Sequence, residues 1–407
     1  NPHILVNPRE VVEAARDKSK GREVVSRFFP ELIPQAGEIE YSPDLIGRFK
    51  DAVQAKASAQ GLPADNPTRA QRLGDSARRH QLLVEEAADL AVEKFREMAA
   101  RNPGSRFVLK PQRSSGKVGI RLDIATEEDV RRQFLSIQHE LTAFWDEHPE
   151  DRAMHAVQEI PRIVIERQIE ADGEYDVEMV FSRLASGALH TIAFVVGNSP
   201  LAHGTEYGMT FPAMLSSALE KRLIEGALKA VLARWFPAIP FGNGHVEKML
   251  ENGEHPMLVE DNGPRPIGGS LMIPLILDWA GFNLVAQGIR AALGLPLQAP
   301  ERQPDSSVVV RKIMPEFSGQ LLDAAIPEAV RAMPGLAPVV LTPLGKEVHD
   351  PRAGMHAFSG LGYVVGRAPA GKQEQAIATV VGAMSRMTFR IETPDGVKVQ
   401  NGDAHQR

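Results

Sequence analysis

Two short runs hold the residues best suited to chemistry: Gly244-His245-Val246-Glu247 and Met257-Leu258-Val259-Glu260-Asp261-Asn262. Apolar and polar residues alternate in each, the mark of a β-strand, and Asn252-Gly253 between them is a strong hairpin signal. A hairpin closing symmetrically near Gly253 sets Glu247 opposite Glu260. Alternation along each strand then brings His245 and Asn262 to the same face. Like charges directly opposite destabilise a sheet unless a cation sits between them. Glu, Glu and Asn offer hard oxygen ligands, suited to Mg2+ rather than to zinc. Two solvated glutamates on an exposed hairpin would give the same letters.

A second run, Phe107-Val108-Leu109-Lys110-Pro111-Gln112-Arg113-Ser114-Ser115-Gly116-Lys117-Val118-Gly119-Ile120, reads as strand, Ser/Gly loop, strand. Such a loop can lay backbone N–H groups and a lysine against phosphates. It lacks the spacing of a P-loop, and a solvent-exposed hairpin with a basic tip has the same pattern. The third run, Ile163 to Glu178, is an apolar strand ending at Glu166, a turn through Asp172-Gly173, and an alternating strand opened by Glu174. Its acids could bond an adenine edge and ribose hydroxyls, though acidic strand ends are common.

These runs need elements to position them. A charged amphipathic helix from Glu85 to Arg101, stopped by Asn102-Pro103-Gly104, leads into a strand at Arg106 to Lys110. Thr126-Glu127-Glu128-Asp129 opens another helix over 126–146. Strands follow at Ile163 to Gln168, Glu174 to Ser182 and His190 to Val196, then a helix from Ser216 to Trp235, the hairpin, and one helix from Ile273 to Leu293. The first ~75 residues read as irregular apart from a strand at His3 to Val6 and helical stretches from Ser42 to Gln60 and from Thr68, joined through Pro63 to Pro67. Leu295 to Pro304 reads as a linker, and residues 308–397 as an α+β unit without a catalytic constellation.

Composition narrows the function. The chain has 407 residues, 43% hydrophobic, enough for large cores and about two to four domains. No run approaches the ~18 apolar residues of a membrane span; Leu271 to Val285 is broken by Pro274, Asp278 and Asn283. A net charge of -6 without any concentrated basic run leaves no footprint for nucleic acid. The expected partners therefore include neither nucleic acid nor membrane. The absence of cysteine excludes disulfides, a thiolate nucleophile and Cys-ligated zinc, and fits the reducing cytoplasm expected as its location.

The order of the runs is more specific than any one of them. Lys-Pro with a Ser/Gly loop, then Glu with Gly-Glu-Tyr, then Gly-His-x-Glu and Glu-x-Asn followed by Arg and Gly-Gly, resembles the ATP-grasp superfamily. Within it the likeness is to carboxylate-amine ligases, nearest to bacterial L-amino acid (dipeptide) ligases, over roughly Gly61 to Leu295 and the last ~100 residues. The resemblance implies an α/β (α+β) protein whose ATP-grasp fold has two α+β subdomains clasping ATP. It also implies an N-terminal region over 1–75, an ATP-grasp domain over 76–295 and a C-terminal α+β domain over 305–407.

It also implies roles. Lys110 would hold ATP phosphates, and Ser114, Ser115 and Gly116 would form a loop that closes over them as a lid. Glu166 would face the adenine amino group, Arg167 and Ile169 would give backbone contacts, and Glu174 would bind ribose. Glu247, Glu260 and Asn262 would ligate one or two Mg2+ ions, with Mn2+ able to substitute. Arg265 would steady the transferring phosphoryl group, with Lys110 as the other catalytic cation. Glu206, Gly208, His245, Gly268 and Gly269 would lie on the substrate side. The family departs from this chain at Asp75-Ser76, where it carries Asp-Lys, and at Arg265, which stands one residue later than usual. The implied reaction joins a small carboxylic acid to an amine, both amino acids, through an acyl phosphate with release of ADP and phosphate, and a homodimer is compatible with it. A carboxylase, a phosphotransferase or a non-catalytic nucleotide-binding module would share the nucleotide residues.

Overall fold

The computed structural model describes residues 11, 18–38, 43–61, 69–112, 119–147, 163–171, 173–202, 205–235, 242–263, 265–267, 272–299, 306–350 and 360–404. The chain divides into two compact units, Asn1–Ile33 with Ile169–Arg407, and Pro34–Gln168. The first described helix, α1 (Lys18–Phe28), belongs to the larger unit. It was not anticipated, and the strand expected at His3 to Val6 lies outside the described residues.

The smaller unit runs β1 (Ala36–Glu38), α2 (Pro43–Ala59), α3 (Arg69–Arg101), β2 (Phe107–Pro111), β3 (Arg121–Ile124), α4 (Glu127–Glu147) and β4 (Ile163–Arg167). The strands form one antiparallel sheet in the order β1-β4-β2-β3. Phe107, Leu109, Ile163 and Ile165 point into a core with Ala87, Ala91 and Phe95 of α3 and Val130, Phe134 and Ile137 of α4. Phe95 meets Phe107 edge-on, ring centroids 5.3 Å apart. Two-residue alternation consigns Lys110 and Glu166 to the sheet's other face. The helical stretches expected from Thr68 and from Glu85 are one helix of 33 residues, because no proline interrupts the sequence between them. The capping signature before α4 forms: the Asp129 amide donates to Thr126 Oγ1 and the Thr126 amide to Asp129 Oδ2, both at 3.1 Å.

The larger unit continues with β5 (Gly173–Arg183), β6 (Leu189–Ala202), β7 (Thr205–Glu206), β8 (Gly208–Phe211), α5 (Ser217–Trp235), β9 (Gly242–Glu251), β10 (His255–Gly263), α6 (Met272–Ala280), α7 (Leu284–Ala292) and β11 (Ser306–Ile313). Then come β12 (Gly319–Ala325), α8 (Glu328–Arg331), β13 (Leu336–Val340), β14 (Glu347–Val348), β15 (Gly362–Pro369), α9 (Gln373–Met384), β16 (Thr388–Thr393) and β17 (Gly396–Asn401). A nine-stranded sheet follows the path β10-β9-β5-β6-β8-β11-β15-β13 with β7 beside β6, and β14-β12-β16-β17 make a second sheet. Leu223, Ala227 and Val231 of α5 cover one face of the large sheet, against Val177, Met179, Phe181, Val246 and Leu250. On the other face Val180, Val196, Met209, Phe211, Val308 and Val310 meet Leu275, Ile276 and Trp279 of α6 and Leu284 of α7.

One expectation is corrected here. The helix expected from Ile273 to Leu293 is two helices bent by 95°, since Gly281 adopts a φ of 65° and Asn283 caps α7 by accepting the Ala286 amide at 2.9 Å. The expected linker is anchored at its start. Leu295 accepts from Ser182 Oγ at 2.6 Å, and the Leu297 amide donates to His190 Nδ1 at 3.1 Å. No single helix among the described residues is long and apolar enough to cross a membrane.

Candidate functional site

Strand β5 carries Val180 into the apolar core over α6 and α7, so the residues two, four and six positions before it share that face. They are Glu178, Asp176 and Glu174, all buried. Across the ladder, Glu178 pairs with His245 and Asp176 with Glu247, which brings a histidine and a fourth carboxylate onto the same face. Apolar residues on the opposite face, Val177, Met179 and Val246, bind the strands to α5 and fix this register.

The side chains converge. His245 Nδ1–H donates to Glu178 Oε1 at 2.5 Å, while Nε2 lies 3.3 Å from Asp176 Oδ1 and 3.5 Å from Glu247 Oε1. Ser199 Oγ donates to Asp176 Oδ2 at 2.9 Å. Burial pushes the Asp176 and Glu178 carboxyls up, against the pull of His245. Burial alone would hold the imidazole down, but the charge of Glu178 and its bonds to Glu178 and Glu247 outweigh it and push His245 up to about 10.

Among the described residues, two groups of side chains can hold a metal ion, and Glu247 belongs to both. Glu174, Glu206 and Glu247 offer carboxylate oxygens within 4.8 Å of one another, as do Asp176, Glu247 and a ring nitrogen of His245. The first set, all hard oxygen and drawn from β5, β7 and β9, fits Mg2+. Glu206, expected on the substrate side, and Glu174, expected at ribose, thus stand beside a predicted metal ligand.

The other predicted residues are placed as follows. The hairpin turns with Asn252 at φ 54° and Gly253 at φ 74°, as its sequence requires. Its ladder, however, shifts between Leu258, which pairs with Lys248, and Asn262, which pairs with Val246. Four steps along β10 match two along β9, so Glu260 falls in a bulge instead of directly opposite Glu247, and Asn262 is registered with Val246 instead of His245. The side chains of Glu260 and Asn262 lie outside the described residues, as do Ser114, Ser115, Gly116, Gly268 and Gly269 altogether. Arg265 is exposed, donates to its neighbour Pro266 at 3.0 Å, and its charge reaches Glu178. Gly208 sits where a Cβ would come 2.1 Å from the Val310 carbonyl oxygen, so close strand packing explains that glycine.

In the smaller unit, Lys110 Nζ and Glu166 Oε2 form a buried ion pair at 2.8 Å. The Arg167 amide donates to the Gln35 carbonyl at 2.9 Å. Sequence reasoning passed over Asp176 and Glu178. The signal was present: three acids at a spacing of two on a strand whose other face is Tyr175, Val177 and Met179.

No family model matches the chain, and no curated protein matches it significantly. Solved structures do. Biotin carboxylase from Campylobacter jejuni is 16% identical with a TM-score of 0.55, over 98% of this chain and 71% of that one. L-amino acid ligase from Bacillus licheniformis is 15% identical with a TM-score of 0.56, over 97% and 74%. N5-carboxyaminoimidazole synthase from Aspergillus clavatus, in complex with ADP, is 13% identical with a TM-score of 0.56, over 93% and 74%. All three are ATP-grasp enzymes, and at these identities the likeness establishes architecture: this chain has the ATP-grasp fold.

Proposed function

We propose that the protein is an ATP-dependent carboxylate-amine ligase acting on small molecules, amino acids foremost, in a reducing cytoplasm. The observation that carries this reading is the carboxylate group of Glu174, Glu206 and Glu247, built from three strands of an ATP-grasp fold. The similarity to L-amino acid ligase, and to enzymes captured with ATP analogues or ADP, supports it. In the proposed reaction a carboxylate is activated as an acyl phosphate by ATP, and an amine displaces the phosphate to give an amide, ADP and phosphate.

Each residue then has a task. Glu247, with Glu174 and Glu206, holds Mg2+, and Glu260 and Asn262 complete the ligand set by resemblance. Lys110 neutralises phosphate charge, and Glu166 accepts from the adenine amino group. Arg265 steadies the transferring group. Phosphoryl transfer asks for positioning and charge neutralisation more than for a nucleophilic side chain, so the absence of cysteine is no obstacle.

The test is a screen of amino-acid pairs, and of bicarbonate with amines, for ADP and phosphate release, followed by mass spectrometry of the product. Carboxylate 18O should appear in phosphate. AMP as product, or label absent from phosphate, refutes the mechanism. Turnover only with bicarbonate would make the protein a carboxylase, like several of its structural neighbours.

A further inference from the structure

Holding a cation accounts for Glu174, Glu206 and Glu247, but not for a carboxylate beneath them. Glu178 has no exposed surface, and it sits opposite His245 with Asp176 opposite Glu247 in the next same-face pair of the ladder. Side-chain exposure climbs in one direction: 0% for Glu178, 2% for His245 and 15% for Glu247. The ring bridges the two ends, bonded to Glu178 through Nδ1 at 2.5 Å and lying 3.5 Å from Glu247 through Nε2.

The chemistry of this chain of contacts is that of a clamp. Glu247 is a side chain with three rotatable bonds, flanked by Glu174 and Glu206 of its own sign, so electrostatics alone would turn it away from them. A ring held at one nitrogen cannot swivel, and its other edge then stands as a fixed wall beside the Glu247 and Asp176 carboxylates, 3.5 and 3.3 Å from Nε2. Glu247 is also the one carboxylate common to both groups able to hold a metal, so its orientation sets the geometry of either.

We propose that Glu178 is a positioning residue: by anchoring His245 at Nδ1 it fixes the direction in which Glu247 presents its carboxylate to the cation. This rests on the proposed function only in taking Glu247 as a metal ligand. Glu178 does not touch the cation, and its contribution passes through His245. Loss of such an outer partner typically lowers metal affinity about 10- to 100-fold.

The test measures binding, not turnover. Mn2+ is titrated into the full-length protein with ADP present and followed by electron paramagnetic resonance, for the wild type, Glu178→Gln and Glu178→Met. ADP affinity without metal is measured by calorimetry. The expected result is an apparent Mn2+ dissociation constant raised about 10- to 100-fold in Glu178→Met and less in Glu178→Gln, whose amide oxygen can still accept from Nδ1. Metal-free ADP affinity should stay within about twofold of the wild type, since a merely structural loss would weaken both ligands together.

Wild-type Mn2+ affinity in both variants overturns the proposal while leaving the metal assignment standing. A parallel fall in ADP affinity overturns it as well. A wild-type protein that binds no Mn2+ refutes Glu247 as a ligand, and with it the clamp. Should neither Glu178 variant fold, His245→Gln removes the middle of the same chain, and unchanged Mn2+ affinity there is equally fatal.

Discussion

Lys248→Met should stabilise the protein, and by an amount that depends on pH. Lys248 follows Glu247 in β9 but faces the other way, with Val246 and Leu250, beneath α5. It has no exposed surface, and its Nζ has no hydrogen-bond partner among the described residues. Gly226 of α5 leaves room for it, since a Cβ there would lie 3.1 Å from Nζ. Burial, with repulsion from Lys229, lowers the amine from 10.5 to about 7. That difference corresponds to on the order of 5 kcal/mol favouring the neutral form in the folded state. Because the folded value lies below the unfolded one, the penalty is absent above pH 10.5, grows as pH falls towards 7 and is constant below. Methionine has similar length and no charge. Urea unfolding of both proteins at pH 6, 8 and 10 should show an advantage for Lys248→Met that is largest at pH 6 and shrinks by roughly 1.4 kcal/mol per pH unit above 7. Titration of His245 and Asp176 is common to both proteins and cancels in the difference. An advantage that is absent, or the same at every pH, refutes the argument.

Four further outcomes are open to measurement. Glu247→Gln removes the carboxylate shared by both metal-holding groups and should lower ATP turnover about 100- to 1,000-fold; normal ADP release at limiting Mg2+ would exclude the metal role. Lys110→Ala should weaken binding of a non-hydrolysable ATP analogue by calorimetry, and it leaves Glu166 buried without that cation, so unchanged affinity would move the nucleotide elsewhere. Gly208→Ala drives a methyl against the Val310 carbonyl and should cost about 1–3 kcal/mol, visible as a lower melting temperature. Asn283→Ala deletes the cap of α7 and should cost about 1 kcal/mol in the same experiment.

The fold was legible in the sequence because its signals are ordered along the chain and local. Asn252-Gly253 turns as it must, and the strands that carry Lys110, Glu166, Glu174 and Glu247 are where alternation put them. What was not legible depends on contacts distant in sequence. The bulge at Glu260 arises from matching β10 to a strand already held by β5, and no residue in it announces an unequal count. The break between α6 and α7 was written as Gly281 and Asn283, but a run of apolar residues around them read as a single helix. Asp176 and Glu178 were seen only as polar positions of a half-buried strand. Their burial follows from β5 lying between β9 and β6, a neighbour relation that no local pattern encodes.

The large sheet does not stop where the chain leaves the metal-holding strands. Strand β11 pairs with β8 from Val308↔Phe211 to Arg311↔Gly208, and β15 and β13 extend the same sheet beyond it. The carboxyl-terminal hundred or so residues are thus not an appendage that a stop codon near position 300 could remove cleanly. Such a truncation would strip β8 of its partner and leave a buried apolar strand, with Met209 and Phe211, as a raw edge of unpaired amides and carbonyls. A shortened gene product would be expected to self-associate through that edge before any question of catalysis arose. The tail in which the sequence offers no catalytic constellation supplies the strand that closes this edge.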